Sequence, residues 1–273
     1  MNRPIIVHDA HMHFGPRGPI EAAALTSPLR DRFPAYKTMQ FSRMEDYESQ
    51  FEAHHVEKAV LVPFVLKEPG LETQTNWCLD YARQHPGRFY PYALIDDDDP
   101  DYVERHYGEL VGLKQHIILH ETEVTSARRE MFALLQEHGL VLLLHTHSDK
   151  RVQYVTEIVR DFPHLKIQVA HMGRAKADNV PFMREIIETF APFENVFFDT
   201  STIRIPEVVT MAVRKIGAER VLYGSDFPFF MDETGEEDVM QAQIDHILRA
   251  EITDRQRELI FRENFDRLIT FGK

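Results

Sequence analysis

Residues that can bind a metal ion follow the apolar segments of this chain, one group after another along the whole sequence. Most of these groups stand where a short, β-rich apolar run ends, and one lies within such a run at 112–116. The residues are His11 and His13, Lys114 and His116, His145, His171 and Asp226. In a parallel α/β barrel the carboxyl ends of all strands meet at one face, so these distant residues become neighbours there.

Eight apolar runs bounded by polar or turn residues predict eight β-strands. The predicted strands are 5–8, 58–65, 88–95, 112–119, 140–146, 166–171, 195–200 and 220–225. Amphipathic helical stretches separate most of them, as at 126–138, 151–162, 182–190 and 206–216. From the second strand on, the strands begin about 25 to 30 residues apart, which is close to one βαβ unit. We predict a single α/β domain, residues 1–273, folded as a (β/α)8 TIM barrel, with an open doubly wound sheet as the alternative.

Two parts of the sequence depart from a minimal barrel. The connection at 14–54 is rich in proline, arginine and aromatic residues, and it leaves the first strand beside His11 and His13. Connections this long usually carry function, so we expect a lid or substrate wall; a packed excursion outside the barrel is the alternative. A terminal helix is predicted from 253 to 268, with Phe261, Phe265 and Leu268 facing the barrel.

The composition restricts the partners and the location of the protein. A formal charge of -13 argues against nucleic acid or an anionic membrane as the main partner, and it is compatible with a small-molecule substrate. The single cysteine, Cys78, excludes an intrachain disulfide and fits a reducing compartment. No apolar stretch approaches the ~20 residues of a membrane span, and no signal-peptide pattern is visible. We expect a soluble cytoplasmic protein.

The histidines form the first part of the predicted metal site. His11 and His13 are two residues apart on an extended segment, so both imidazoles point to one face and can reach one divalent ion. Asp9 shares that face as a supporting partner or ligand. His145 and His171 each end an apolar run, where an imidazole costs free energy unless it is hydrogen-bonded or bound to a metal. Together they are better explained as one site.

Asp226 ends the last predicted strand in the segment Gly224-Ser225-Asp226-Phe227-Pro228. A carboxylate there can bind the metal and accept a proton from water that the metal activates. A turn or helix-cap role before Pro228 is the alternative.

Lys114 interrupts an otherwise apolar strand, and burying an ammonium group is costly unless it is paired or neutral. Three interpretations are open. Lys114 is carbamylated and bridges two metals, it stays cationic and holds a substrate anion, or it pairs with a core carboxylate.

These motifs together resemble the amidohydrolase superfamily, and more narrowly its amidohydrolase-2 branch of metal-dependent TIM-barrel hydrolases. The matches are Asp9-Ala10-His11-Met12-His13, Gly112-Leu113-Lys114 with His116, His145, Ala170-His171-Met172-Gly173 and Gly224-Ser225-Asp226. The segment Asn264-Phe265-Asp266-Arg267-Leu268 is similar to the Asn-Ala-x-x-Leu motif that is common near the C-terminal end of sequences in this branch. The resemblance covers nearly the whole chain except the 14–54 insert.

The resemblance implies one of two metal arrangements. In a mononuclear site, His11, His13, His145 and Asp226 bind one zinc or manganese ion, and His171 acts as acid/base or polarises the substrate. In a binuclear site, carbamylated Lys114 bridges two ions; His11, His13 and Asp226 hold one of them, and His145 and His171 hold the other. The resemblance also makes a homodimer an expectation.

The leading hypothesis is hydrolysis of a small ester, lactone or amide by metal-activated water, with Asp226 accepting the proton. His116, Arg174 and Arg204 are the candidate substrate-binding residues, and two arginines would suit an anionic substrate. The alternative is a non-oxidative decarboxylase or hydratase of an aromatic or dienoic acid with a mononuclear site. A non-enzymatic metal-binding barrel is disfavoured because the ligands exceed the four of a closed zinc site.

Overall fold

Eight parallel strands form one sheet in which the strands follow one another in chain order. The computed structural model describes residues 4–27, 39, 41–66, 68–95, 101–116, 125–145, 149–173, 179–229 and 238–269. The strands are β1 (Val7–Asp9), β2 (Val56–Leu61), β3 (Phe89–Leu94), β4 (Gly112–His116), β5 (Val141–His145), β6 (Lys166–Val169), β7 (Val196–Asp199) and β8 (Val221–Leu222). Beyond the ends of β1 and β8, backbone hydrogen bonds of 2.7 to 2.9 Å join Ala10 to Tyr223, His11 to Asp226 and His13 to Phe227. The predicted (β/α)8 barrel is confirmed.

Helices occupy the connections between the strands. They are α1 (Arg17–Thr26), α2 (Tyr47–Ala53), α3 (Leu71–Gln84), α4 (Asp101–His106), α5 (Ser126–Glu137), α6 (Asp149–Asp161), α7 (Val180–Phe190), α8 (Pro206–Ile216), α9 (Val239–Arg249), α10 (Asp254–Glu258) and α11 (Asn264–Leu268). Local residues set several of their ends: Thr125 and Asn179 cap α5 and α7 with their side chains. Pro206 opens α8, and Gly217 ends it at a φ of 83°. Among the described residues, no helix is long and apolar enough to span a membrane.

The strands are buried on both faces, as expected for a parallel sheet covered by helices. One large core lies between the sheet and the helices. A second, smaller core is formed by the opposite faces of the strands, with Val60, Tyr92 and Leu143 among its members, and with Phe265 and Leu268 of α11 packed against them. In this smaller core the strands therefore pack against one another and against the terminal helix α11.

The predicted terminal helix is interrupted. A π-helical turn at Leu259–Glu263 separates α10 from α11. The Ile260 carbonyl oxygen accepts a hydrogen bond from the Tyr223 amide at 3.0 Å, so part of the helix backbone is engaged by the segment after β8. The buried Asn264 amide also donates to the carbonyl oxygens of Ala218 and Val221 at 2.6 and 2.7 Å. These bonds fix the last strand to the terminal helix.

The described part of the 14–54 insert packs on the barrel. It contains α1, a 3-10 turn at Phe41–Glu45 and α2, while residues 28–38 and 40 lie outside the described residues. The Tyr47 hydroxyl donates to the carbonyl oxygens of His13 and Gly15, both at 3.4 Å. The insert therefore contacts the segment that carries the predicted ligand His13; its role as a lid or substrate wall stays a prediction.

Candidate metal centre

The side chains predicted to bind a metal lie at the carboxyl ends of the strands. His11 and His13 follow β1, Lys114 lies in β4, His145 ends β5, His171 follows β6 and Asp226 follows β8. One potential ligand atom from each of His11, His171 and Asp226 lies within 4.8 Å of the other two. Residues up to 215 positions apart in the sequence thus form one cluster.

Asp226 faces both histidines that follow β1. Its Oδ1 atom lies 3.4 Å from Nε2 of His11 and 3.4 Å from Nε2 of His13. Burial alone would raise the pKa of Asp226, but the neighbouring His13, His11 and Lys114 side chains outweigh burial and lower that pKa. Asp226 is therefore a carboxylate directed at two imidazole nitrogens.

The other ring nitrogen of each histidine is held by an acceptor. Nδ1 of His11 lies 3.0 Å from Oδ2 of Asp199, and Nδ1 of His13 lies 3.1 Å from the carbonyl oxygen of Pro63. Each ring has its closer acceptor at Nδ1, since Asp226 lies 3.4 Å from Nε2, so we assign the proton to Nδ1 in both rings. Nε2 then keeps its lone pair on the side of Asp226. Such outward support of ligating imidazoles is typical of metal sites, and the donor set of nitrogen and carboxylate oxygen fits a divalent metal.

His171 joins the cluster to the two remaining histidines. Its Nδ1 atom lies 2.7 Å from the hydroxyl oxygen of Ser201, and its Nε2 atom lies 2.9 Å from Nδ1 of His145. The His145 ring stacks on His116, with 4.1 Å between ring centroids. His116 thus reaches the site through His145, and its predicted contact with substrate stays a prediction.

Lys114 is completely buried, and its Nζ atom lies 3.0 Å from Nε2 of His11. Burial lowers the pKa of Lys114 to about 8, against the opposing effect of the charges on Asp226 and Asp199. Within the described part of the chain, Lys114 forms no ion pair with a carboxylate. Its contact is with a predicted metal ligand, so its placement fits the two functional interpretations rather than a core ion pair.

Sharp backbone turns direct several of these side chains. His171, Met172, Thr202 and Asp226 all have φ values between 51° and 61°, in the left-handed region that side chains other than glycine rarely adopt. Gly173, two residues after His171, has a φ of 71°, and a Cβ there would lie 2.5 Å from Cγ2 of Ile186. Unfavourable conformations of this kind cluster at functional sites.

Asp9 joins the ends of β1 and β8. Its Oδ1 atom accepts from the amides of His11 and Ser225 at 3.0 and 3.1 Å, and its Oδ2 atom accepts from the Ser225 hydroxyl at 2.5 Å. Burial raises the pKa of Asp9 to about 7. Asp9 therefore supports the ligand segments on both strands, which is the partner role predicted for it.

Asp199 is a candidate functional residue that the sequence analysis did not single out. It ends β7 and is completely buried. Burial alone would raise the pKa of Asp199, but the neighbouring His11 and His171 and the hydrogen bonds from His11 and Ser201 hold that pKa well below its ordinary value. Its signal was the one used for Asp226, a carboxylate directly after a buried strand.

The structure describes one of the two arginines predicted to bind substrate. Arg204 is half-buried and lies in the segment between β7 and α8. Arg174 lies outside the described residues. Both roles stay predictions.

Comparison with known proteins identifies a family whose model matches nearly the whole chain. A family model described as amidohydrolase matches residues 8–270. No curated protein matches the sequence.

Several solved structures share the fold across nearly their whole length. An amidohydrolase from Burkholderia multivorans with bound zinc has a TM-score of 0.76 at 13% identity, covering 97% of this chain and 99% of that one. A putative 2-pyrone-4,6-dicarboxylic acid hydrolase from Pseudomonas putida has a TM-score of 0.71 at 16% identity, covering 98% and 99%. A 5-carboxyvanillate decarboxylase from Novosphingobium aromaticivorans, complexed with manganese and 4-hydroxy-3-methoxy-5-nitrobenzoic acid, has a TM-score of 0.66 at 16% identity, covering 98% and 99%. At these identities the likeness shows the fold.

Proposed function

We propose that this chain, which belongs to the amidohydrolase family, is a metal-dependent hydrolase that cleaves a small ester, lactone or amide of an anionic substrate. The observation that carries the proposal is the position of Asp226. Its carboxylate oxygen lies 3.4 Å from the nitrogens of His11 and His13 that keep their lone pairs. A carboxylate in that position can serve both as a ligand and as a base.

The roles of the residues follow from their positions. A divalent ion held by this cluster would lower the pKa of water towards ~7 and polarise a carbonyl group. Asp226 can accept the proton of the attacking water and deliver it to the leaving group. His171, within the same 4.8 Å cluster, serves as a ligand or as the group that polarises the substrate.

Lys114 decides the number of metals. A carbamate forms on a neutral amine, and the lowered pKa of Lys114, about 8, increases the neutral fraction near neutral pH. A carbamate next to Nε2 of His11 would supply a bridging ligand for two ions. An unmodified ammonium would instead hold a substrate anion, with one ion in the site. The metal content per chain and the mass of Lys114 distinguish the two schemes.

We further propose zinc as the metal, because imidazole and carboxylate ligands suit it, with manganese as the second choice. The single cysteine, Cys78, is completely buried and fits a reducing compartment, so we propose the cytoplasm. A homodimer is proposed as the assembly.

The test is Asp226→Asn, assayed against a panel of lactones, esters and amides that carry a carboxylate. We expect a loss of at least 100-fold in kcat/KM with the fold intact, because the amide can neither accept the proton nor provide a charged ligand. The matched control is Asp245→Asn on the outer helix α9, which should keep wild-type activity. Full activity in Asp226→Asn would overturn the proposal.

A second candidate function is decarboxylation of an aromatic acid. The support for it is that the solved structures sharing this fold include a 5-carboxyvanillate decarboxylase. Incubation in water enriched in oxygen-18 separates the two. Hydrolysis places the label in the product, whereas decarboxylation releases carbon dioxide and leaves the organic product unlabelled.

A further inference from the structure

We infer that Asp199 is a positioning residue that fixes the tautomers of both His11 and His171, so that the Nε2 atoms of both rings present lone pairs to one metal. This inference rests on the proposed metal-dependent function. It concerns a residue that contacts the ligands rather than the metal, on a strand that contributes no ligand of its own.

Five donors surround the Asp199 carboxylate. Oδ2 accepts from Nδ1 of His11 at 3.0 Å and from the side-chain amide of Gln168 at 2.7 Å. Oδ1 accepts from the backbone amides of His171 and Ser201 at 2.9 and 3.2 Å and from the Ser201 hydroxyl. Both oxygens are thus occupied by protein donors, so Asp199 is unsuited to be a ligand although it ends a strand as the ligands do.

The influence of Asp199 reaches His171 through Ser201. Because the Ser201 hydroxyl donates to Asp199, its oxygen can accept, and it lies 2.7 Å from Nδ1 of His171 and 3.1 Å from Nδ1 of His11. The proton of His171 is therefore held on Nδ1, as in His11. On the other side of His11, Nζ of Lys114 donates to Nε2 at 3.0 Å, which agrees with a lone pair at that atom.

Asparagine at position 199 would reverse this preference. The two backbone amides at Oδ1 cannot change from donor to acceptor, so the asparagine oxygen would stay there and its NH2 group would face His11. An NH2 group donates, so Nδ1 of His11 would become the acceptor and the proton would move to Nε2. An aspartate-to-asparagine change beside a histidine has this effect on the tautomer in hydrolytic triads. The ring would then present a proton where the metal needs a lone pair.

Metal affinity is the first measurement. Chelator competition should show zinc binding to folded Asp199→Asn weakened 10- to 100-fold, the range usual for lost partners of ligating histidines. The matched control, Asp245→Asn, should bind zinc as the wild type does. Ser201→Ala should weaken binding less, about tenfold or below, because the Ser201 carbonyl oxygen, 3.2 Å from Nδ1 of His171, still accepts.

The second measurement does not depend on the metal. Long-range nitrogen-15 NMR of the metal-free protein, with His11 identified by the loss of its signals in His11→Asn, should show the Nδ1–H tautomer in the wild type and the Nε2–H tautomer in Asp199→Asn. If Asp199→Asn does not fold, the same spectra of Ser201→Ala should show a changed His171 signal. A purely structural role for Asp199 predicts lower stability with unchanged tautomers and unchanged affinity, and that result would overturn the inference. A wild-type protein that binds no metal but shows the Nδ1–H tautomers would reject the proposed function and leave the positioning role of Asp199 supported.

Discussion

Replacing Gly112 with alanine should destabilise the barrel at the strand that carries Lys114. A Cβ at this position would lie 2.3 Å from the backbone oxygen of Val141 and 2.5 Å from Cε1 of Tyr92. Ordinary van der Waals contact requires β4 and β5 to separate by about 1 Å at this point. The neighbouring hydrogen bond from the Val141 amide to the Val111 carbonyl, now 2.9 Å long, would be stretched or broken.

The expected cost can be worked from these contacts. Inserting a methyl group into a packed core costs about 1 to 3 kcal/mol, and a lost backbone hydrogen bond costs about 1 kcal/mol more. We therefore expect a loss of about 3 kcal/mol in the free energy of unfolding. With an unfolding entropy of roughly 2 cal/mol/K per residue, this loss lowers the Tm by about 5 °C for a chain of 273 residues.

Thermal unfolding followed by circular dichroism in the presence of a chelator measures this effect without a contribution from bound metal. The control is Gly108→Ala, since a Cβ at Gly108 meets nothing within 4 Å. If the two variants unfold within about 1 °C of each other, the strands adapt more easily than rigid close packing allows, and the reasoning is refuted.

Three further predictions concern pH and metal. Lys114→Met should stabilise the metal-free protein by about 3 kcal/mol at pH 7, measured by urea unfolding, because the pKa of Lys114 in the fold, about 8, lies below its unfolded value of 10.5. Since the unfolded chain holds more protons between those two values, this gain should shrink as the pH rises from 8 to 10.5, and a constant gain would contradict the assignment. Asp238→Asn keeps the cap of α9 but removes the ion pair with His54. Against the raising effect of burial, the hydrogen bond with His54 lowers the pKa of Asp238 to about 2, and the same bond raises the pKa of His54 above 6.5 despite burial. The variant's loss of stability should therefore be greatest between pH 4 and 6.5, vanish as the pH falls towards 2, and decline as the pH rises through the folded pKa of His54. Zinc at 100 times its Kd should stabilise the wild type by about 2.7 kcal/mol, or roughly 5 °C in Tm, and EDTA should abolish the shift.

The barrel was predictable because the apolar residues of each strand indicate, without reference to the rest of the chain, that the strand is buried. A run such as Leu142-Leu143-Leu144 is apolar on both faces, and His145 directly after it marks the end that opens into the site. His171 shows the limit of this local information. The sequence predicts it at the end of a strand, whereas the structure places it in a left-handed turn after β6 at a φ of 56°. The direction of its ring depends on Asp199 and Ser201, about 30 residues away.

Carboxylates at strand ends show why the site could be only partly predicted. Asp9 and Asp199 end the buried strands β1 and β7, and Asp226 follows β8, so position along the sequence alone does not separate a ligand from a supporting carboxylate. In the fold, backbone amides and hydroxyls occupy the oxygens of Asp9 and Asp199. Asp226 instead faces the Nε2 atoms of His11 and His13. Some of these donors come from other strand ends, such as Ser225 at Asp9 and His11 at Asp199, so the choice of ligand depends on the assembled barrel. A strand-end carboxylate can bind a metal where protein donors do not already occupy its oxygens.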